Sequence, residues 1–299
     1  KSVRYELSFS EPQAHYADVQ INVQDVKGTE LIVSMPVWAP GSYLVREFSR
    51  FVEELKAVNT SNGKALPITK LSKNTWRIAT AGAGAVNIKY RVYAYELSVR
   101  TSFIDAEHAY LNGTSIFLQV HGFEHQRQEV RVKPYAPWKV MSVALDPVNA
   151  ADPWLVSAGH YDDLVDAPFE IGNHTVFSFS ACGVPHEVAM FGEGNYDVEK
   201  LKKDMARISE ECMAVFGEHP CKRYVFIIHN LTSGGGGLEH KNSTTLQTNR
   251  WAYTSESAYT GFLSLVAHEY FHLWNVKRLR PVPLGPFNYD EENYTTLLW

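Results

Sequence analysis

Cysteine is scarce in this chain: 299 residues carry three, Cys182, Cys212 and Cys221. That is too few for a disulfide scaffold, and their spacing lacks the paired pattern of a cysteine metal site. They read as free thiols. No run of about 18 apolar residues occurs, so no segment is long enough to span a bilayer as a helix. No Lys/Arg cluster dominates any stretch and the net charge is a mild −5, so nothing points to nucleic acid. Internal repeats and low-complexity tracts are lacking too. A glycine run, "SGGGG", is present, but no Gly-Lys-Ser/Thr follows it in phosphate-loop register. The chain opens on Lys1 rather than Met, which leaves a removed leader and the compartment open.

What the chain has is apolar and aromatic residues, 45% and 13% of the total, enough for a sizeable core. The length favours two domains. Up to about residue 165 the sequence reads as β. Runs such as "DVQINVQDV", "ELIVSMPVW" and "AVNIKYRVYAYELSV" alternate or are β-branched, with turn signals between them such as "NTSNGKA" and "APGSY". A β-sandwich or β-sheet domain is expected over 1–168.

The texture then changes, and 169–299 reads as an α-rich second domain with a small sheet. Apolar residues at Leu201, Met205, Ile208, Cys212 and Val215 form the stripe of an amphipathic helix, with Asp197 as its N-cap and Gly217 as its stop. "RYVFIIHNL" reads as a buried strand, and "TSGGGGLEHKNSTTLQ" as a loop entering an extended segment. A long central helix is expected over "TSESAYTGFLSLVAHEYFHLWNVKR". A proline-rich loop follows, and "EENYTTLLW" reads as the start of a further helix that the chain end interrupts. The fold class is therefore α+β and multidomain.

Within the long helix stand His268, Glu269 and His272. An unpaired polar group buried among apolar side chains costs roughly 2–7 kcal/mol, so the trio needs an explanation. On a helix, residues four apart share a face, so both imidazoles can reach one Zn²⁺. Glu269 sits about 100° round the helix, placed to deprotonate a water as general base. Leu265, Val266 and Phe271 are expected to keep the site dry. Upstream, the glycines Gly235, Gly236 and Gly237 let a backbone approach a ligand closely. Glu239 is a candidate holder of the free α-amino group of a peptide. His240 is a candidate hydrogen-bond partner of substrate or of Glu239.

Three stretches carry a family resemblance: "WAPGSYLVREFSR" at 38–50, "GGGLEHKNST" at 235–244 and "HEYFHLWNVKRLRP" at 268–281. In them the chain resembles the glycyl aminopeptidase family of zinc metallopeptidases, the PDZ-containing relatives of aminopeptidase N. The resemblance implies a β-rich N-terminal domain, a thermolysin-like catalytic domain and a PDZ domain further on. It implies removal of N-terminal residues from peptides with a free N-terminus, with glycine or alanine preferred. It makes His268 and His272 zinc ligands, Glu269 the base and Glu239 the holder of the substrate amine. The third ligand of such sites is a glutamate on a later helix. An 18-residue gap selects Glu291, with Glu292 beside it, but the Leu298-Trp299 pair places it about three residues beyond Trp299, and the family's transition-state tyrosine beyond it as well. Two rival readings stand: a zinc hydrolase that cleaves internally, and a non-catalytic peptide-binding module. In the first stretch, Arg46 and Arg50 either line the cleft or serve a domain interface.

Overall fold

In the computed structural model, residues 2–297 are described. The first part is built from three sheets. Seven strands lie in the spatial order Asp146–Asn149, Asp152–Ala158, Arg127–Lys133, Ser2–Ser8, Tyr16–Gln24, Ala85–Tyr93, Val52–Asn59. All neighbours are antiparallel except Ser2–Ser8 against Arg127–Lys133. Alternation dictates its faces. Val3, Tyr5 and Leu7, then Ala17, Val19, Ile21 and Val23, are buried, while the residues between them are not. That inner face shares one core with Leu31, Val33, Trp76 and Ile78 of a four-stranded sheet. The sequence reading of a β-sheet-rich first domain agrees with this. A third sheet joins Val140–Val143, Phe169–Gly172, Ala109–Leu111 and Phe103–Ile104.

The next sheet begins at Thr175. Its order is Thr175–Ala181, Val184–Phe191, Tyr224–Leu231, Ser243–Asn249, Gly236–Glu239. Tyr224–Leu231 is parallel to both of its neighbours and is buried at every residue except Leu231. Its two faces meet different partners. Tyr224, Phe226 and Ile228 pack on the helices through Val266 and Tyr270, whereas Val225 and Ile227 pack on Tyr110 of the third sheet. A continuous apolar run is what a strand covered on both sides requires. The Tyr110 hydroxyl donates to Thr245 Oγ1 at 2.9 Å, which ties the two parts together.

Among the described residues three α-helices form: α1 (Tyr161–Val165), α2 (Val198–Phe216) and α3 (Glu256–Phe271). Asp197 accepts from Lys200 N at 2.9 Å, and Gly217 closes α2 in the left-handed region at φ +81°, as the sequence predicted. Among the described residues, no helix is long and apolar enough to cross a membrane.

Three expectations are corrected. The long helix stops at Phe271, not Arg278: His272 is its C-cap, and a series of tight turns follows. The His272 ring takes up the Asn275 carbonyl, and the Arg278 guanidinium takes up that of Leu273, so side chains replace helical hydrogen bonds. The glycine segment is not all loop, since Gly236–Glu239 is an edge strand. No helix starts over 291–297; the Trp38 indole instead donates to the carbonyls of Asn288 and Glu291. Leu298 and Trp299 lie outside the described residues.

Candidate active site

Two elements bring the predicted residues together. The last turn of α3 carries His268, Glu269 and His272, and the antiparallel pair Gly236–Glu239/Ser243–Asn249 carries Glu239 opposite Thr244. Carboxylate oxygens of Glu239 and Glu269 and a ring nitrogen of His272 all lie within 4.8 Å of one another. His268 joins them through His272: their Nε2 atoms are 3.2 Å apart. His268 and His272 lie on a stripe of α3 away from Val266 and Tyr270, which face the core. Only Glu269 of the three is buried, at 5% exposure; His268 is exposed, so the dry site expected from the flanking apolar residues is not found around the histidines.

The histidines fit a shared cation. His272 Nδ1 donates to the Asn275 carbonyl at 2.6 Å, which leaves Nε2 of the neutral ring as a lone pair facing His268 Nε2. Two nitrogens bound to one tetrahedral zinc stand roughly 3.3–3.4 Å apart. Burial, followed by the neighbouring His272, pushes His268 down and so favours its free base. The two carboxylates lie within 4.8 Å of the His272 nitrogen, close enough to act on a water or a cation held there.

Glu269 is held by an absence. A Cβ built on Gly237 would lie 2.3 Å from Glu269 Oε1, so only glycine leaves room for that carboxyl. Gly236 has a different reason, a φ of +118°, and Gly235 would meet only the Gln247 carbonyl, at 3.8 Å. Burial first, and the Glu239 carboxylate second, push Glu269 up to about 8, with Arg100 and Lys277 acting against them.

Glu239, 7% exposed, is closed off by the first domain. A Cβ on Gly41 would come 2.9 Å from its Cδ and Oε1. Loop 38–50 therefore reaches the site at Gly41. Next to it, His240 does not point into open space. Its Nδ1 donates to Asp166 Oδ1 at 3.0 Å, and its Nε2 is buried without a partner. Lys277 Nζ binds both Asp166 oxygens, at 3.0 and 2.9 Å. Burial opposes the Lys277 charge, but Asp166 and then Glu239 outweigh it and raise its pKa. Tyr43, nearly buried, is also raised by burial; Lys277 opposes this and Glu239 reinforces it. Glu291 and Glu292 are exposed and are not among the grouped ligand atoms.

The sequence reading missed Gly41, Tyr43, Asp166 and Lys277. Gly41, Tyr43 and Lys277 lie inside the quoted stretches, so their neighbourhood was a signal. Asp166 carried none, because only the fold sets it against the helix end.

The sequence profile of the Peptidase M61 N-terminal domain matches residues 4–173, and that of the M61 glycyl aminopeptidase matches residues 261–299. No curated protein matches. Among solved structures, an aminopeptidase N family protein from Idiomarina loihiensis is 35% identical over 99% of this chain and 52% of its own, with a TM-score of 0.93. An M1 zinc metallopeptidase from Deinococcus radiodurans is 14% identical, with 92% of this chain and 63% of that one aligned and a TM-score of 0.54. A mutant of an M1 enzyme from the same organism, bound to a Tyr-Ser-Ala substrate, aligns with 13% identity over 88% and 62%, at a TM-score of 0.51. The two Deinococcus structures share the fold with this chain, which spans about half the length of the Idiomarina relative. With its larger part matched to the N-terminal domain and its HEYFH segment to the aminopeptidase profile, the chain belongs to the M61 glycyl aminopeptidase family of peptidases.

Proposed function

We propose that the protein is a zinc-dependent aminopeptidase that hydrolyses the N-terminal peptide bond of peptides, favouring glycine or alanine. The observation that carries this reading is the placement of Glu239. Its buried carboxylate lies within 4.8 Å of the His272 nitrogen and the Glu269 carboxylate, with Gly41 against its far side. A closed end lined by an anion suits a cation, and a peptide carries one wherever its N-terminus is free.

His268 and His272 would hold the metal, with a third ligand from a glutamate beyond Trp299 on a thermolysin-like catalytic domain. Zinc, when bound, supplies Lewis acidity toward a water and toward the scissile carbonyl. Glu269, with a raised affinity for protons, takes the proton of the attacking water and hands it to the leaving amine. Glu239 fixes the α-ammonium, which sets the scissile bond one residue away. The glycine strand leaves backbone groups free to line up the substrate. The preference for small residues rests on the family.

The complete protein should contain zinc and hydrolyse glycyl- and alanyl-p-nitroanilide, but not their N-acetyl forms. Glu269→Gln should abolish turnover and retain the metal. Equal cleavage of acetylated substrates would favour an endopeptidase. Absence of metal, with function indifferent to Glu269→Gln, would leave a binding module.

A further inference from the structure

A cavity of about 570 Å³ opens in the first domain, and none of the residues discussed above as metal or amine binders lines it. Its walls are aromatic, from Phe51, Tyr93 and Tyr95, and its charged groups include Arg46 and Arg50. The acidic groups, Glu47 and Glu96, balance them only in part. Glu47 is taken up by Lys73 Nζ at 2.5 Å, and Glu96 forms no ion pair among the described residues. Arg46 is half-buried and gives one guanidinium N–H to the Leu44 carbonyl at 2.9 Å. Neither Arg46, Arg50 nor Arg100 has a carboxylate in ion-pair contact among the described residues. Arg91, on the strand that carries Tyr93, pairs with both Asp18 and Glu11. Burial, and then the Arg100 guanidinium, push Arg46 down, and Glu96 only partly offsets this. Arg46 and Arg50 therefore line the cavity without a carboxylate in contact, although Glu96 acts on Arg46 from a distance. Arg46 gives only one of its donors to a carbonyl and Arg50 lies over the Phe51 ring at 4.6 Å, which leaves N–H groups of both forks for a carboxylate.

Two connections lead from the cavity to the candidate active site. Along the chain, Gly41 touches the Glu239 carboxylate and Arg46 follows five residues later, so the two ends are at most about 18 Å apart by that path. Arg100 also acts electrostatically on both Glu269 and Arg46. Even at that upper limit, an extended peptide of about four or five residues covers the span.

We propose that this cavity is a distal substrate subsite, in which Arg46 and Arg50 bind a carboxylate carried by the far part of a short peptide. The carboxylate is either the peptide's C-terminus or an acidic side chain near it. The subsite would make the enzyme one that prefers short peptides to long chains. The inference rests on the aminopeptidase reading, because it takes Glu239 as the anchor of the other end.

The test is a ladder of glycyl-alanine peptides of about two to six residues, each as free acid and as C-terminal amide, given to the complete protein. The kcat/KM ratio of acid to amide should be small for the dipeptide and reach about tenfold at four or five residues. Arg46→Gln should bring that ratio close to one. Arg50→Gln, at an exposed position that folding tolerates, should lower it independently. An amide ending in glutamate that regains the advantage assigns the cavity to acidic side chains as well; one that does not assigns it to the terminal carboxylate. Equal use of acid and amide at every length, or a ratio untouched by both substitutions, overturns the subsite while leaving the aminopeptidase standing. Cleavage of neither form by the wild type overturns both.

Discussion

Gly41 of the first domain stands directly against the carboxylate of Glu239, with room for a hydrogen and not for a methyl group: a Cβ there would lie 2.9 Å from the carboxyl carbon. Gly41 also has a φ of +89°, which L side chains rarely adopt. Gly41→Ala should therefore act twice. It should lower stability by about 1 kcal/mol or more and displace Glu239, raising KM for free-amine substrates. Thermal unfolding and steady-state kinetics measure the two effects. An unchanged KM would mean that Glu239 does not need this wall.

Gly237→Ala should reduce kcat by about a hundredfold, because the methyl group would occupy the place of Glu269 Oε1, 2.3 Å away. Zinc content should hold, since the three atoms nearest that Cβ all belong to Glu269. A variant that keeps full kcat would show that Glu269 has an equally good second position.

Glu239→Gln keeps the shape and removes the charge. Affinity for substrates with a free amine should fall by about ten- to a hundredfold, as expected for loss of a charge-assisted hydrogen bond. Inhibition constants of an amine-bearing and an N-acetylated peptide isolate the effect. Parallel losses for both would assign Glu239 to the metal instead, which its closeness to His272 makes the relevant rival.

Lys277→Met should destabilise the protein by about 3–5 kcal/mol, because Asp166 would remain buried with only His240 beside it. Lys277→Met with Asp166→Leu should recover part of that loss. Urea unfolding of the two variants tests this, and an additive double mutant would show that the pair is not coupled.

Acid should weaken the second domain through His186. This ring is fully buried, with Nε2 on the Tyr270 hydroxyl at 2.7 Å, and burial pushes it down to about 4. An unfolded histidine titrates near pH 6.5. Between these values the unfolded chain binds the proton and the folded one does not, so stability falls as pH drops from 6.5 to 4. The loss is on the order of 3 kcal/mol. His219, on the same hydroxyl and also lowered by burial, adds in the same direction. His186→Phe should flatten the slope of the urea midpoint over that range, and an unchanged slope would place the acid sensitivity elsewhere.

The parts of the fold that were legible are those set by local pattern. Alternation in Ser2–Ser8 and Tyr16–Gln24, the caps at Asp197 and Gly217, and the continuous apolar run of Tyr224–Leu231 each follow from one segment and its period. The ends of elements were less legible. Whether α3 continued past Phe271 depended on the Asn275 carbonyl finding the His272 ring and on Arg278 turning back to the Leu273 carbonyl. Such competitions are decided by contacts several residues away, and propensity does not register them.

By itself the sequence determined the chemistry on offer: two histidines four apart with a glutamate between, a second glutamate after a glycine run, and a β-rich first domain. Spacing on one helix is a local property, so it could be read without the fold. Only the tertiary structure decided how these groups are held. It set Gly41 against Glu239, Gly237 against Glu269, and Asp166 between His240 and Lys277. It also placed the His240 ring against Asp166. These are contacts between residues far apart in the chain, fixed by how the sheets and α3 close on one another, and no local pattern encodes that closure.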